Sequence, residues 1–187
     1  MRKRGLTQEQ IDLRDGRLTA SRVHCLMTGD EDEINALWEE MVGTKEPDDL
    51  SGDWAAQLGL QTEELNLDWY EKKTGNEVTR RGEVVHKDDW AAATLDGWDV
   101  IDGMVVEAKH VGGFEPPETI LARYQPQLHW TMFVTGTKRI ALSVIYGAKE
   151  PVVDIIEWDA DYGALLIERA EAFMTYVMSF TRPLKKF

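Results

Sequence analysis

The chain has 187 residues, 43% apolar and 29% charged, which suits one globular core of about 150 to 200 residues and not two. No run comes near the roughly 20 consecutive apolar residues of a membrane span and the start lacks the apolar stretch of a signal peptide, so a cytoplasmic protein is expected. Cys25 is the only cysteine, which excludes an intrachain disulfide, an iron–sulfur cluster or a cysteine-rich zinc site, and the net charge of −13 argues on its face against nucleic acid, whose binding is driven by cation release.

In chain order, residues 1–29 are basic, with Arg2, Lys3, Arg4, Arg14, Arg17 and Arg22 against three acids. Here Gln8 to Arg14 spells a short helix, and Thr19 to Met27 opens on a hydroxyl cap and runs to a stop at Gly29. Residues 30–71 hold fourteen acids against the single Lys45, and so account for the whole net charge. Ile34, Leu37, Trp38 and Met41 keep helical spacing, and a loop runs from Gly43 to Gly52. From Asp53 the series Trp54, Leu58, Leu65, Trp69 and Tyr70 predicts a helix of about five turns ending at Gly75, with Gly59 as a point where it could break. Such an acidic stretch reads as a solvated outer face, with Trp54 and Trp69 packing inward.

The second half changes character. Segments around Glu77–Arg80, Ala91–Leu95, Trp98–Ile101 and Met104–His110 are punctuated by Asp96-Gly97 and Asp102-Gly103, dipeptides that favour two-residue hairpin turns, and together predict an antiparallel meander. Glu118 to Val134 predicts a helix interrupted at Pro126. Arg139–Tyr146 and Val152–Trp158 predict two more strands, and Asp159 caps a last helix through Phe180 whose stripe Leu166, Ala170, Phe173, Met174 and Val177 is core. The expected class is α/β in the α+β sense: a central mixed sheet with an antiparallel meander, flanked by helices. One domain over 1–187 is expected, with basic N-terminal helices in 1–29, an acidic helical part in 30–75 and the sheet core and last helix in 76–187.

Chemistry concentrates in the meander. Residues two apart on a strand share a face, so Glu107 and Lys109 point the same way and Ala108 points to the other. A hairpin then brings Asp96 alongside. Two converging carboxylates make a hard oxygen site suited to Mg²⁺ or Mn²⁺, and a lysine beside it can hold or deprotonate an attacking water. Asp99 and Asp102 read as turn residues. His24, His86, His110 and His129 form no short ligand pair, so zinc is not expected.

The order Asp96-Gly97, Glu107-Ala108-Lys109, preceded by Gly59-Leu-Gln-Thr-Glu63 and followed by Tyr124-Gln-Pro-Gln127-Leu-His, resembles the PD-(D/E)XK nucleases. More narrowly, with Leu13-Arg14-Asp-Gly-Arg-Leu-Thr-Ala-Ser21, it is similar to the bacteriophage lambda exonuclease and YqaJ-type viral recombinase family over about Leu13 to Phe180. The resemblance implies a restriction-endonuclease-like core and a 5′→3′ exonuclease that digests one strand of linear double-stranded DNA. The 3′ single-stranded tails that it leaves would serve phage recombination with a single-strand annealing protein. It further implies two Mg²⁺ ions, with Mn²⁺ as a substitute, held by Asp96, Glu107, the Ala108 carbonyl and Glu63. Lys109 would be the catalytic lysine, Gln127 would position the water, and Arg14 and Ser21 would receive the 5′-phosphate. A ring-shaped homotrimer around the duplex would reconcile an acidic chain with its substrate. Leu95 stands where the superfamily's name-giving proline would be. The alternatives are a structure- or site-specific endonuclease of the same superfamily, or a non-catalytic DNA-binding protein or DNA mimic.

Overall fold

The computed structural model describes residues 7–47, 49 and 52–183; the basic ends Arg2-Lys3-Arg4 and Lys185-Lys186, and part of the loop expected before Gly52, lie outside the described residues. The elements in order are α1 (Gln8–Arg14), β1 (Leu18–Thr19), α2 (His24–Thr28), α3 (Glu31–Met41), α4 (Trp54–Thr74), β2 (Val78–Thr79), β3 (Val84–Lys87), β4 (Ala91–Thr94), β5 (Gly97–Asp99), β6 (Met104–Val111), α5 (Pro117–Thr135), β7 (Arg139–Tyr146), β8 (Val152–Glu157) and α6 (Ala160–Met178). No described helix is long and apolar enough to cross a membrane.

Side-chain caps fix where most helices start. Thr7 Oγ1 accepts from the Gln10 amide at 3.2 Å and the Gln10 side chain accepts from the Thr7 amide at 2.7 Å, a reciprocal box that opens α1. Asp30 with Glu33 repeats it on α3, Asp53 caps α4 and Asp159 caps α6. Two helices run through residues that could have broken them. At Gly59 the space a Cβ would fill is open, so no neighbour bends the backbone there. At Pro126 the helix lacks one amide donor, a cost of about 3 kcal/mol, but the buried Leu128, Trp130, Met132 and Val134 that follow anchor α5 in two cores.

Two sheets take the place of an unbroken meander. The five-stranded sheet is mixed, in the order β2-β5-β6-β7-β8, with β6 and β7 parallel and its other pairs antiparallel; a three-stranded sheet has the order β1-β4-β3. Three local expectations change as a result. Thr19 is no helix cap: it lies in β1, opposite Ala92, and α2 begins only at His24. Strand β3 occupies a stretch, Val84–Lys87, for which the sequence pattern predicted no element. Asp96-Gly97 is not a hairpin turn, because β4 and β5 belong to different sheets. Gly97 is instead a close-approach residue, where a Cβ would stand 2.3 Å from Val78 Cγ1 and 3.3 Å from Leu67 Cδ2.

The alternation of β6 organises the layers. Met104, Val106 and Ala108 pack with Leu67 and Tyr70 of α4, while Val105 and Val111 pack with Ile120, Leu128 and Met132 of α5. The mixed sheet is thus covered by α4 on one face and α5 on the other. Beyond α5 a further core joins α2, α3 and α6 to the smaller sheet, and it contains the stripe Leu166, Ala170, Phe173, Met174 and Val177 as expected. Trp54 departs from expectation, being 78% exposed at the start of α4, whereas Trp69 packs against the core. The acids of α4 divide by face: Glu64, Asp68 and Glu71 converge on Arg81 at 2.8, 2.7 and 3.0 Å, while Glu63, Asn66 and Tyr70 follow the helical repeat on another face.

His129 is a structural histidine between α5 and α6. Its Nδ1 donates to the Gln125 carbonyl at 3.0 Å and its Nε2 accepts from the Asp159 amide at 3.1 Å, which requires the neutral ring. Burial lowers its pKa against the opposing pull of the Gln125 carbonyl and Asp159. A histidine whose folded pKa is depressed contributes stability that is complete above its unfolded value, about 6.5, and is lost as the pH falls through the folded value. Acidification from about pH 7 to 5 is therefore expected to lower the melting temperature, and His129→Gln to flatten that slope; identical slopes for the two proteins in a thermal melt series would contradict it.

Candidate active site

The β5–β6 hairpin sets the geometry. Its register pairs Asp99 with Met104, Trp98 with Val105 and Gly97 with Val106, and one further step places Asp96 opposite Glu107. Cross-strand partners show their side chains on one face, and Lys109, two residues on, shares it. The connection is a four-residue loop, not a two-residue turn, with Gly103 at φ +62° donating its amide to the Asp99 carbonyl. β5 stops where Asp96 begins, so the next β6 amide lacks a strand partner. The Asp96 carboxylate supplies it, with Oδ2 accepting from the Ala108 amide at 2.9 Å.

Glu107 is 1% exposed. Its Oε1 accepts from Lys109 Nζ at 2.6 Å and from Gln127 Nε2, which α5 delivers from above the sheet. Its Oε2 is buried with no hydrogen-bond partner. Lys109 Nζ also lies 5.2 Å from the centroid of the Tyr124 ring, one turn earlier on α5. Burial disfavours the Lys109 ammonium, but the Glu107 and Asp96 carboxylates overcome this and raise its pKa, so the lysine is charged. Asp96 moves the opposite way from a typical ion-paired acid. Burial and the neighbouring charges of Glu107 and Glu63 raise its pKa well above the usual carboxylate range against the pull of Lys109.

Glu63 reaches this cluster from α4, close enough for its charge to act on Asp96. Around it α4 is tied to the end of β6: Thr62 Oγ1 pairs with His110 Nδ1 at 3.1 Å, and Asn66 Nδ2 donates to the Lys109 carbonyl at 3.3 Å. His110 faces α4, opposite to Lys109, as strand alternation requires.

These features fit a divalent cation. Three carboxylates, Glu63, Asp96 and Glu107, stand against one lysine, burial and the neighbouring carboxylates raise the Asp96 pKa, and Glu107 Oε2 is a buried acceptor with no donor. No three His, Cys, Asp or Glu side chains among the described residues form a ready-made ligand cage. A cation would rest on one or two carboxylates, a backbone carbonyl, water and a substrate phosphate, the sparse oxygen set that Mg²⁺ uses.

Arg14 and Ser21 form a second cluster. Arg14 Nη2 donates to Ser21 Oγ at 3.4 Å and to Thr19 Oγ1 at 3.3 Å, and the two hydroxyls lie 3.3 Å apart. Burial and the nearby charge of Arg22 lower the Arg14 pKa, the sign of a cation that an anion would stabilise. Thr19 escaped the sequence reading because it looked like a cap. Thr94 escaped it too: its Oγ1 is buried without a partner, two residues before Asp96. β1 and β4 run parallel, so the turn carrying Ser21 lies at the end of the smaller sheet where Thr94 and Asp96 lie. The two clusters are also braced through α1, since Gln10 Nε2 donates to the Gly82 carbonyl at 2.5 Å and Gly82 donates its own amide to Leu95.

A profile of the YqaJ-like viral recombinase domain matches residues 10–138, a span that contains every residue of both clusters. The chain belongs to this family. Two structures of LHK-Exo, an alkaline exonuclease from Laribacter hongkongensis, are similar to this YqaJ-like chain. One superposes with a TM-score of 0.76 at 22% identity, and the other, in complex with dAMP, with 0.74 at 24%; each comparison covers 93% of this chain and 94% of that one. A phage-related exonuclease from Haemophilus somnus 129PT gives a TM-score of 0.67 at 12% identity, covering 95% of this chain and 90% of that chain. The fold is therefore the restriction-endonuclease-like fold of phage-type exonucleases. Among proteins of curated function none matches this sequence.

Proposed function

We propose that this YqaJ-like protein is a divalent-metal-dependent exonuclease that hydrolyses one strand of linear double-stranded DNA in the 5′→3′ direction. The 3′ single-stranded tails would be taken up by a strand-annealing protein. The observation that carries this reading is the convergence of Asp96, Glu107 and Lys109 on one face, with a buried Glu107 oxygen left unpaired. Membership of the family and likeness to an alkaline exonuclease support it. The position of Arg14, Thr19, Ser21 and Thr94 supports action at a strand end. A guanidinium and hydroxyls suit a terminal phosphate, which carries more charge than an internal one.

In this reading Asp96, Glu107, the Ala108 carbonyl and Glu63 hold the cations, two Mg²⁺ with Mn²⁺ as a substitute, which supply charge that polarises the phosphodiester and makes hydroxide accessible near neutral pH. Gln127 orients the attacking water beside Glu107. Lys109 holds that water and offsets negative charge on the phosphoryl oxygens in the transition state. Arg14 and Ser21 seat the 5′ end so that the next phosphodiester meets Lys109. A homotrimer enclosing the duplex in the cytoplasm of a bacterial host completes the reading, with the acids of residues 30–71 other than Glu63 turned away from DNA.

Linear duplex bearing or lacking a 5′-phosphate, incubated with Mg²⁺ or with EDTA, tests it. Mg²⁺-dependent loss of the phosphorylated strand first is expected. Equal cutting of a closed circle would indicate the endonuclease alternative, and intact DNA in every lane a binding or mimic protein. Arg14→Ala should chiefly remove the preference for the 5′-phosphate; a preference unchanged in that variant would refute the pocket.

A further inference from the structure

Asn66 is 1% exposed and Ser143 fully buried, in a part of the sheet–helix interface otherwise filled by Leu67, Ala108 and Ala141. A buried amide is costly unless every polar atom is paired, and here all are. Asn66 Nδ2 donates to the Ser143 carbonyl at 2.9 Å and to the Lys109 carbonyl at 3.3 Å, and its Oδ1 accepts from Ser143 Oγ at 2.6 Å. Ser143 is the register partner of Ala108 on β7, so one side chain spans α4, β6 and β7 directly beneath the Glu107-Ala108-Lys109 run. One turn before it on α4 stands Glu63, whose charge acts on Asp96. The amide touches none of the groups on the reacting face.

We propose that Asn66 is a positioning residue, which fixes the distance of Glu63 on α4 from Lys109 on β6 by holding both through one amide. This rests on the nuclease reading above. A hydrophobic residue would bury as well but would leave α4 free to slide along the strand. Displacements of that kind, about 1 Å, cost on the order of 100-fold in rate, and loss of an outer partner of a metal ligand costs about 10- to 100-fold.

The test is a double-mutant cycle on linear duplex DNA, together with calorimetric titration of Mn²⁺ into the protein without DNA. Asn66→Ala is expected to lower kcat by about 10-fold or more with KM for DNA little changed, and to weaken Mn²⁺ binding. In a Glu63→Gln background, the same substitution should add less than about threefold to the loss and leave Mn²⁺ affinity where Glu63→Gln put it. Losses that multiply in full, or a loss confined to KM or to melting temperature, would overturn the proposal. Should Asn66→Ala not fold, Ser143→Ala removes only the 2.6 Å bond and must show the same dependence on Glu63 at smaller size. A wild-type protein inert toward DNA would overturn the nuclease reading and this inference with it; an active wild type with an additive cycle overturns this inference alone.

Discussion

Lys109→Ala is expected to lower the rate of strand degradation by about 1000-fold, within the range for loss of a positioned acid–base and electrostatic group, while the protein still folds and binds duplex DNA. The lysine stands between Glu107 and Asp96 and its ammonium is held charged by both, so it sits where phosphate charge would develop. Its removal leaves Glu107 Oε1 with Gln127 as donor and makes the cluster more negative. Mn²⁺ should therefore bind Lys109→Ala at least as tightly as wild type, whereas Glu107→Gln, which removes a ligand charge, should bind it more weakly. Lys109→Arg should not restore activity, because a planar guanidinium cannot occupy the place of a compact ammonium 2.6 Å from a buried carboxylate. Gel assays of labelled linear duplex and calorimetry of Mn²⁺ would settle the pair of outcomes. Lys109→Ala retaining more than about a tenth of the wild-type rate would remove the lysine from the mechanism.

Much of this arrangement was legible in the residues because it depends on short-range rules. Strand alternation alone put Glu107 and Lys109 together and sent Ala108 and His110 to the other face. The Asp102-Gly103 signal announced the hairpin that brings Asp96 alongside, but a two-residue turn there would set Asp96 against Lys109, and only the four-residue loop pairs it with Glu107. Asp53 and Asp159 marked helix starts by the chemistry of their side chains, whereas the capping boxes of Thr7 and Asp30, the latter opening a helix that the apolar spacing began only at Ile34, came from the structure. What the pattern did not show depends on partners distant in sequence. Thr19 follows cap rules locally, but Ala92 pairs with it across more than seventy residues and makes it a strand residue facing Arg14. Asp96-Gly97 has turn chemistry, yet Gly97 is held by the approach of Val78 and Leu67. Nothing near Asn66 in sequence signals a role, because both carbonyls it binds come from other elements. The same distinction separates the net charge from its arrangement: composition gives −13, whereas only the fold shows Glu64, Asp68 and Glu71 neutralised in part by Arg81 on a different face from Glu63.

Asp99→Ala is expected to cost about 4 kcal/mol of stability, the range for leaving several donors to a buried acid unpaired, and to reduce activity although Asp99 lies at the far end of the hairpin from Asp96. Asp99 is 0% exposed and serves four donors. Oδ2 accepts from Tyr70 OH at 2.9 Å and Asn76 Nδ2 at 2.8 Å, and Oδ1 accepts from the amides of Ile101 and Asp102, both at 2.9 Å. These bonds join α4 to the loop that fixes the β5–β6 register, and that register is what sets Asp96 against Glu107. Burial works to raise the Asp99 pKa, but the donors, Asn76 foremost, outweigh it and the carboxyl is lowered. An acid depressed in the folded state contributes stability that is present above its unfolded value, about 3.9, and is lost as the pH falls through the folded one. Wild type should thus lose stability on acidification below about pH 4, with a flatter course in Asp99→Asn, which keeps one oxygen acceptor but not the charge. Urea unfolding followed at pH 7 and pH 3.5 separates the effects. A loss below about 1 kcal/mol for Asp99→Ala at pH 7 would mean that the donors find other partners, and that the hairpin register is held by the packing of Trp98, Val105 and Leu67 instead.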